Sequence, residues 1–178
     1  MLSRVKGARM TSAELLADAF GRVRDTVHAA VAGLSAEQLA YRIDSSANSI
    51  GWLVWHLARV QDDHIADVAQ TEQVWMSGGW AERFGLPFPP LSHGYGHSVA
   101  DVAAVRVESP DLLTAYYDAV HEQTMRFVAG LTDADLPRVV DERWDPPVTL
   151  AVRVMSVISD DLQHVGQAAF IRGIVLRR

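Results

Sequence analysis

The 178-residue chain contains no cysteine. Disulfides, thiolate metal sites and a cysteine nucleophile are therefore excluded, and packing alone must hold the fold. An excess of positive charge is also missing: 16 basic residues face 22 acidic ones, a net charge of −6. Nothing in that balance draws the chain onto a nucleic-acid backbone or an anionic bilayer, so no nucleic acid and no membrane is expected as a partner. No apolar run reaches the ~20 residues of a membrane span, and the first residues lack the apolar stretch of a secretory signal. The expected location is the cytoplasm. No Gly-x-Gly-x-x-Gly turn follows a strand, and no Walker loop or Gly-x-Ser-x-Gly elbow occurs, which leaves nucleotide-cofactor and serine-hydrolase chemistry without support.

What is present reads as helix. Residues 1–10 carry no apolar period and are expected to form a flexible extension, with one domain over residues 11–178. Thr11 or Ser12 serves as an N-cap with Glu14 in the first turn, and Leu16, Phe20, Val23, Val27 and Val31 then recur at helical steps until Gly33. Ser35 opens a short turn that positions Leu39. A second long helix runs from near Ser49 to about Ala69. Ser109-Pro110-Asp111 starts a third, which ends at Gly130, and the last spans about Thr149 to Gly173. Between residues 71 and 108 glycine and proline break the pattern, with Val99 to Val105 a short helical or extended piece. Residues 139–147 look extended, but no alternation is strong enough for a sheet. The fold class is all-α, a four-helix bundle with one long irregular connection between its second and third helices.

Two histidines stand in company that suggests chemistry. His56 sits on a mostly apolar helix face. His164 follows Asp160 by one turn, so the two side chains share a face about 6 Å apart at the backbone. A facing helix that adds His56 would close three corners of a tetrahedron and leave the fourth for water or substrate. Spacing alone leaves a second reading open, in which His56 is a core histidine and Asp160 merely pairs with His164. Asp161 points roughly 100° away and is the poorer ligand. Gln167, a turn beyond His164, can donate to a bound group, and Asp63 can orient a ligand imidazole or be solvated. Tyr95 and His97, beside flexible glycines, are candidates for a pocket rim. Trp80 and Trp144 read as packing anchors.

The motifs Trp55-His56-Leu57-Ala58-Arg59 and Asp160-Asp-Leu-Gln-His164-Val-Gly-Gln167 resemble the signatures of the DinB/YfiT-like superfamily. Trp80…Phe84-Gly85, Gly94-Tyr-Gly-His97 and Val140-Asp-Glu-Arg-Trp144-Asp-Pro-Pro147 look like its actinobacterial mycothiol-dependent transferase-like branch, related to the N-terminal domain of mycothiol-dependent maleylpyruvate isomerase. The resemblance implies an up-down-down-up bundle holding a divalent metal through His56, Asp160 and His164. Many members carry histidine at the Asp160 position, and the isomerase relatives glutamate. Aspartate still completes a zinc site, while nickel, iron or manganese suit the same donors. The implied activity is transfer of a low-molecular-weight thiol such as mycothiol to an electrophilic small molecule, with Gln167, His97 and Tyr95 as further site residues. Metal-water hydrolysis uses the same open corner. A non-catalytic, stress-related bundle that binds metal or a small molecule is the reading from another class. A homodimer through helix faces is compatible with a bundle of this size.

Overall fold

The computed structural model describes residues 10–178, so the expected extension lies outside the described residues except for Met10. Each long helix begins where a side-chain oxygen meets its unpaired amides. At the head of α1 (Ser12–Val31), Thr11 accepts from the Glu14 amide and Glu14 accepts from the Thr11 amide. Ser35 caps the short α2 (Ala36–Leu39), and Ser49 caps α3 (Ile50–Ala69). Three short helices follow: α4 (Val74–Ser77), α5 (Trp80–Phe84) and α6 (Val99–Ala104). Ser109 and Pro110 start α7 (Pro110–Ala129), and Thr149 caps α8 (Leu150–Val175).

The core shows how the long helices run. One apolar cluster joins the second half of α1, the first halves of α3 and α7 and the second half of α8. The other joins Leu16 and Phe20 of α1, Ile65 and Val68 of α3, Val128 of α7 and Leu150 to Ile158 of α8. The start of α1 thus lies with the end of α3, the end of α7 and the start of α8. That arrangement is the up-down-down-up order. Both α1 and α3 pack on α7 and α8. The middle turns of α3 and α8 therefore face each other along an antiparallel seam.

The 71–108 connection lies lengthwise along α3. Its segments meet α3 at Asp62, Arg59 and His56 in turn, so it does not cap one end of the bundle. Arg59 of α3, with no exposed surface, donates to the Ser92 carbonyl, to Gln73 Oε1, to Tyr116 Oη and to Asp62. Asp62 in turn accepts from the amides of Val74 and Trp75, both at 2.8 Å, and so caps α4 from another helix. Removing one member of such a buried ion pair costs roughly 3–5 kcal/mol, because the other is left charged and unmatched. Aromatic packing of Trp75, Trp80 and Phe84 against Tyr116 closes the other side of the connection. Trp80 is the packing anchor its sequence context implies.

The extended stretch before α8 does pair. Strands β1 (Val139–Asp141) and β2 (Val148–Thr149) form a bulged antiparallel ribbon that no alternation pattern announces, being too short to show one. Trp144, in its turn, is not the expected anchor: it is 65% exposed.

Asp161 is wholly buried, and neither of its oxygens has a hydrogen-bond partner among the described residues. Burial pushes its carboxyl well above the ordinary value, and Asp160 adds to the shift. The unfolded chain therefore ionises first as pH rises past ~4, which favours unfolding. Asp161→Asn should gain stability over the wild type between pH 4 and pH 8. The gain should grow by up to about 1.4 kcal/mol per pH unit until the folded-state pKa is passed. Urea unfolding at both pH values measures the gap, and a gap that does not widen with pH refutes this account.

Candidate functional site

At the α3–α8 seam the structure brings together His56, Asp160 and His164. Their ligand-capable atoms all lie within 4.8 Å of one another. His164 Nε2 stands 3.5 Å from Asp160 Oδ1, and the two imidazoles meet edge to face with centroids 4.8 Å apart. His56 Nδ1–H donates to the His93 carbonyl, which can only accept, so the bare Nε2 is left over. His164 Nδ1 lies 3.4 Å from Gln167 Oε1. Each ring thus gives one nitrogen to an outer partner and keeps the other for the shared centre, the usual arrangement around a metal ion. Asp160 Oδ2 is buried without a hydrogen-bond partner among the described residues, an orphan that costs ~1–3 kcal/mol unless something binds it. Two imidazole nitrogens and a carboxylate oxygen suit zinc and its divalent neighbours.

The electrostatics agree with that donor set. Burial pushes the His56 imidazole down to about 4, so it is neutral and able to ligate at pH 7. Burial raises the Asp160 carboxyl, but the hydrogen bond and charge of His164 outweigh it and hold the group below its usual value. Asp160 in return lifts the His164 imidazole.

Trp52 fixes the orientation of His56. The two rings stack at 4.5 Å with 15° between their planes, and Trp52 Nε1–H donates to His97 Nδ1 at 3.2 Å. His97 must then carry its proton on Nε2, which donates to Ser92 Oγ at 3.1 Å. Gly94 explains how the connection comes so close. Its φ is +93°, and a Cβ there would lie 2.8 Å from His56 Nδ1 and 3.0 Å from the Trp55 ring. Gly94→Ala should therefore break the His56–His93 hydrogen bond and weaken metal uptake at least tenfold by competition titration. Unchanged uptake would mean that this close approach has no bearing on the site.

Beside the trio opens a cavity of ≈ 250 Å³ lined by His56, Val60, Asp63, His64, His93, Tyr95, Ser156 and Asp160. A second, of ≈ 370 Å³, continues from His64 and Ser156 toward Arg143, Trp144 and Arg153. Tyr95, 87% exposed, lies among the residues that line this cavity. His97 does not line the cavity; it sits behind Trp52 and holds that ring. Gln167 is exposed on α8 and reaches only His164. Asp63 accepts from Gln73 Nε2 at 2.7 Å, so it steadies the connection and not a ligand imidazole. Sequence reasoning passed over His64, Arg153 and Ser156. Arg153 lies one heptad before Asp160 and His64 two turns after His56, so helical spacing alone could have flagged both.

The model of a family described as Mycothiol-S-transferase matches residues 15–175. Among solved structures, the conserved protein of a locus from Enterococcus faecalis superposes with a TM-score of 0.88 at 28% identity, over 96% of this chain and 100% of that one. No curated protein matches the chain.

Proposed function

Because the chain belongs to the mycothiol S-transferase family, we propose that it transfers a low-molecular-weight thiol, mycothiol itself, to an electrophilic small molecule at a metal centre formed by His56, Asp160 and His164. The observation that carries this reading is the buried Asp160 Oδ2, which has no hydrogen-bond partner among the described residues, in a trio whose ligand-capable atoms lie within 4.8 Å of one another. His56, Asp160 and His164 would hold a divalent ion, which would supply a lowered pKa for a bound thiol and so favour its nucleophilic thiolate. The chain has no cysteine, so the sulfur has to arrive with a co-substrate.

The residues divide the remaining work. The His93 carbonyl and the Trp52 face fix the tautomer and plane of His56. Gln167 does the same for His164 from the solvent side. Val60 is the apolar wall of the cavity, Trp52 packs against the rings of His56 and His164, and Tyr95 bounds the mouth. The two adjoining cavities offer separate room for the thiol and the electrophile.

Protein purified without chelator and supplied with zinc should bind one equivalent, and His164→Ala should bind none. Zinc at about a thousandfold excess over its Kd should stabilise the wild type by roughly 4 kcal/mol and leave the variant unmoved. Turnover of a generic electrophile should need both zinc and mycothiol. Turnover without thiol would point to metal-water hydrolysis, and no turnover under either condition to a non-catalytic binding protein.

A further inference from the structure

His64, which the trio does not use, is held in one tautomer by Arg153 of α8, which is itself anchored by Asp141 of β1. Arg153 NH1, on α8, lies 2.8 Å from His64 Nδ1. A guanidinium only donates, so that nitrogen is the bare acceptor and the ring proton must sit on Nε2. Arg153 is itself fixed by Asp141 of β1, whose carboxylate accepts from its NH2 at 3.0 Å and from Arg143 at 2.8 Å. The Asp63 carboxylate, 3.7 Å from the same His64 nitrogen, does not reach hydrogen-bond distance.

The Nε2–H has no acceptor among the described residues, and His64 lines both the cavity beside the trio and the one that continues toward Trp144. We propose that His64 is a catalytic hydrogen-bond donor, its Nε2–H stabilising the oxygen of an electrophile that gains negative charge there as a thiolate attacks. The assignment rests on the transferase reading above and names its substrate class: electrophiles such as conjugated carbonyls, in which charge develops on oxygen. Burial, with the Arg153 charge behind it, holds the imidazole below its usual pKa and keeps it neutral. A neutral imidazole locked in one tautomer is a known way to polarise a carbonyl.

The step balances without a further reactant. The sulfur lone pair forms the carbon–sulfur bond, and the carbon–carbon π pair moves through the conjugated system onto oxygen. His64 holds that enolate by a hydrogen bond and keeps its own proton. The enolate carbon then takes a proton from water, which replaces the one the thiol released to solvent.

The test uses zinc-loaded protein with mycothiol and two probes, an N-alkylmaleimide and an alkyl iodide, whose departing iodide needs little hydrogen bonding. His64→Ala should lose on the order of 10²-fold in kcat on the maleimide. Its loss on the iodide should be at least tenfold smaller, with zinc content equal to that of the wild type. His64→Gln, which restores an N–H donor, should recover at least tenfold of the maleimide loss. Independently of turnover, ¹⁵N NMR of the wild type should show His64 protonated on Nε2, and Arg153→Met should mix the tautomers. Equal losses on both probes, no loss on the maleimide, or a proton found on Nδ1 would overturn the proposal while leaving the transferase reading in place. Failure of the wild type to turn over either probe would sink the transferase reading and this role with it.

Discussion

A guanidinium sealed from water must be matched, and the groups that match Arg59 come from segments with no other reason to stay together. Its partners belong to the loop before α4, the strand of chain before Gly94, the middle of α7 and the neighbouring Asp62. The connection along α3 has few aliphatic residues and much glycine and proline, so it cannot form a core of its own. Once Arg59 and Asp62 seat it, the His93 carbonyl falls where His56 needs an acceptor. The orientation of a candidate ligand therefore depends on an ion pair one turn away along the same helix.

The bundle itself was legible because its helices are long, capped by Ser or Thr, and periodic. Thr11, Ser49, Ser109 and Thr149 mark four starts that geometry respects. The trio was legible in outline because Asp160 and His164 lie one turn apart and His56 sits on an apolar face. What the pattern could not convey was tertiary. His97 looked like a rim residue, since nothing local says that an indole proton from Trp52 would claim one of its nitrogens. Trp144 looked like core, as large aromatics mostly are, yet the bulged ribbon turns it outward. Polar networks such as Asp141–Arg153–His64 link residues 89 and 12 positions apart only after folding, and no period encodes them.

His56 and His64 each have one nitrogen engaged by a fixed partner, which sets the tautomer of both. Among the described residues nothing bonds to the second oxygen of Asp160. A cavity walled by tautomer-locked imidazoles offers fixed dipoles that need no rearrangement when charge appears.

Because α3 is enclosed by α7, by α8 and by the connection laid along it, fifteen of its twenty residues are buried and the helix has no free face. Most helices in a bundle keep an outer stripe on which substitutions accumulate at little cost. Here that tolerance shifts to α1 and the outer surface of α8, where Val152, Met155, Leu162 and Phe170 stand in solvent. Adaptation of this scaffold to new small molecules would then proceed by editing α8 and the ribbon ahead of it, with α3 as the fixed rail against which such changes are made.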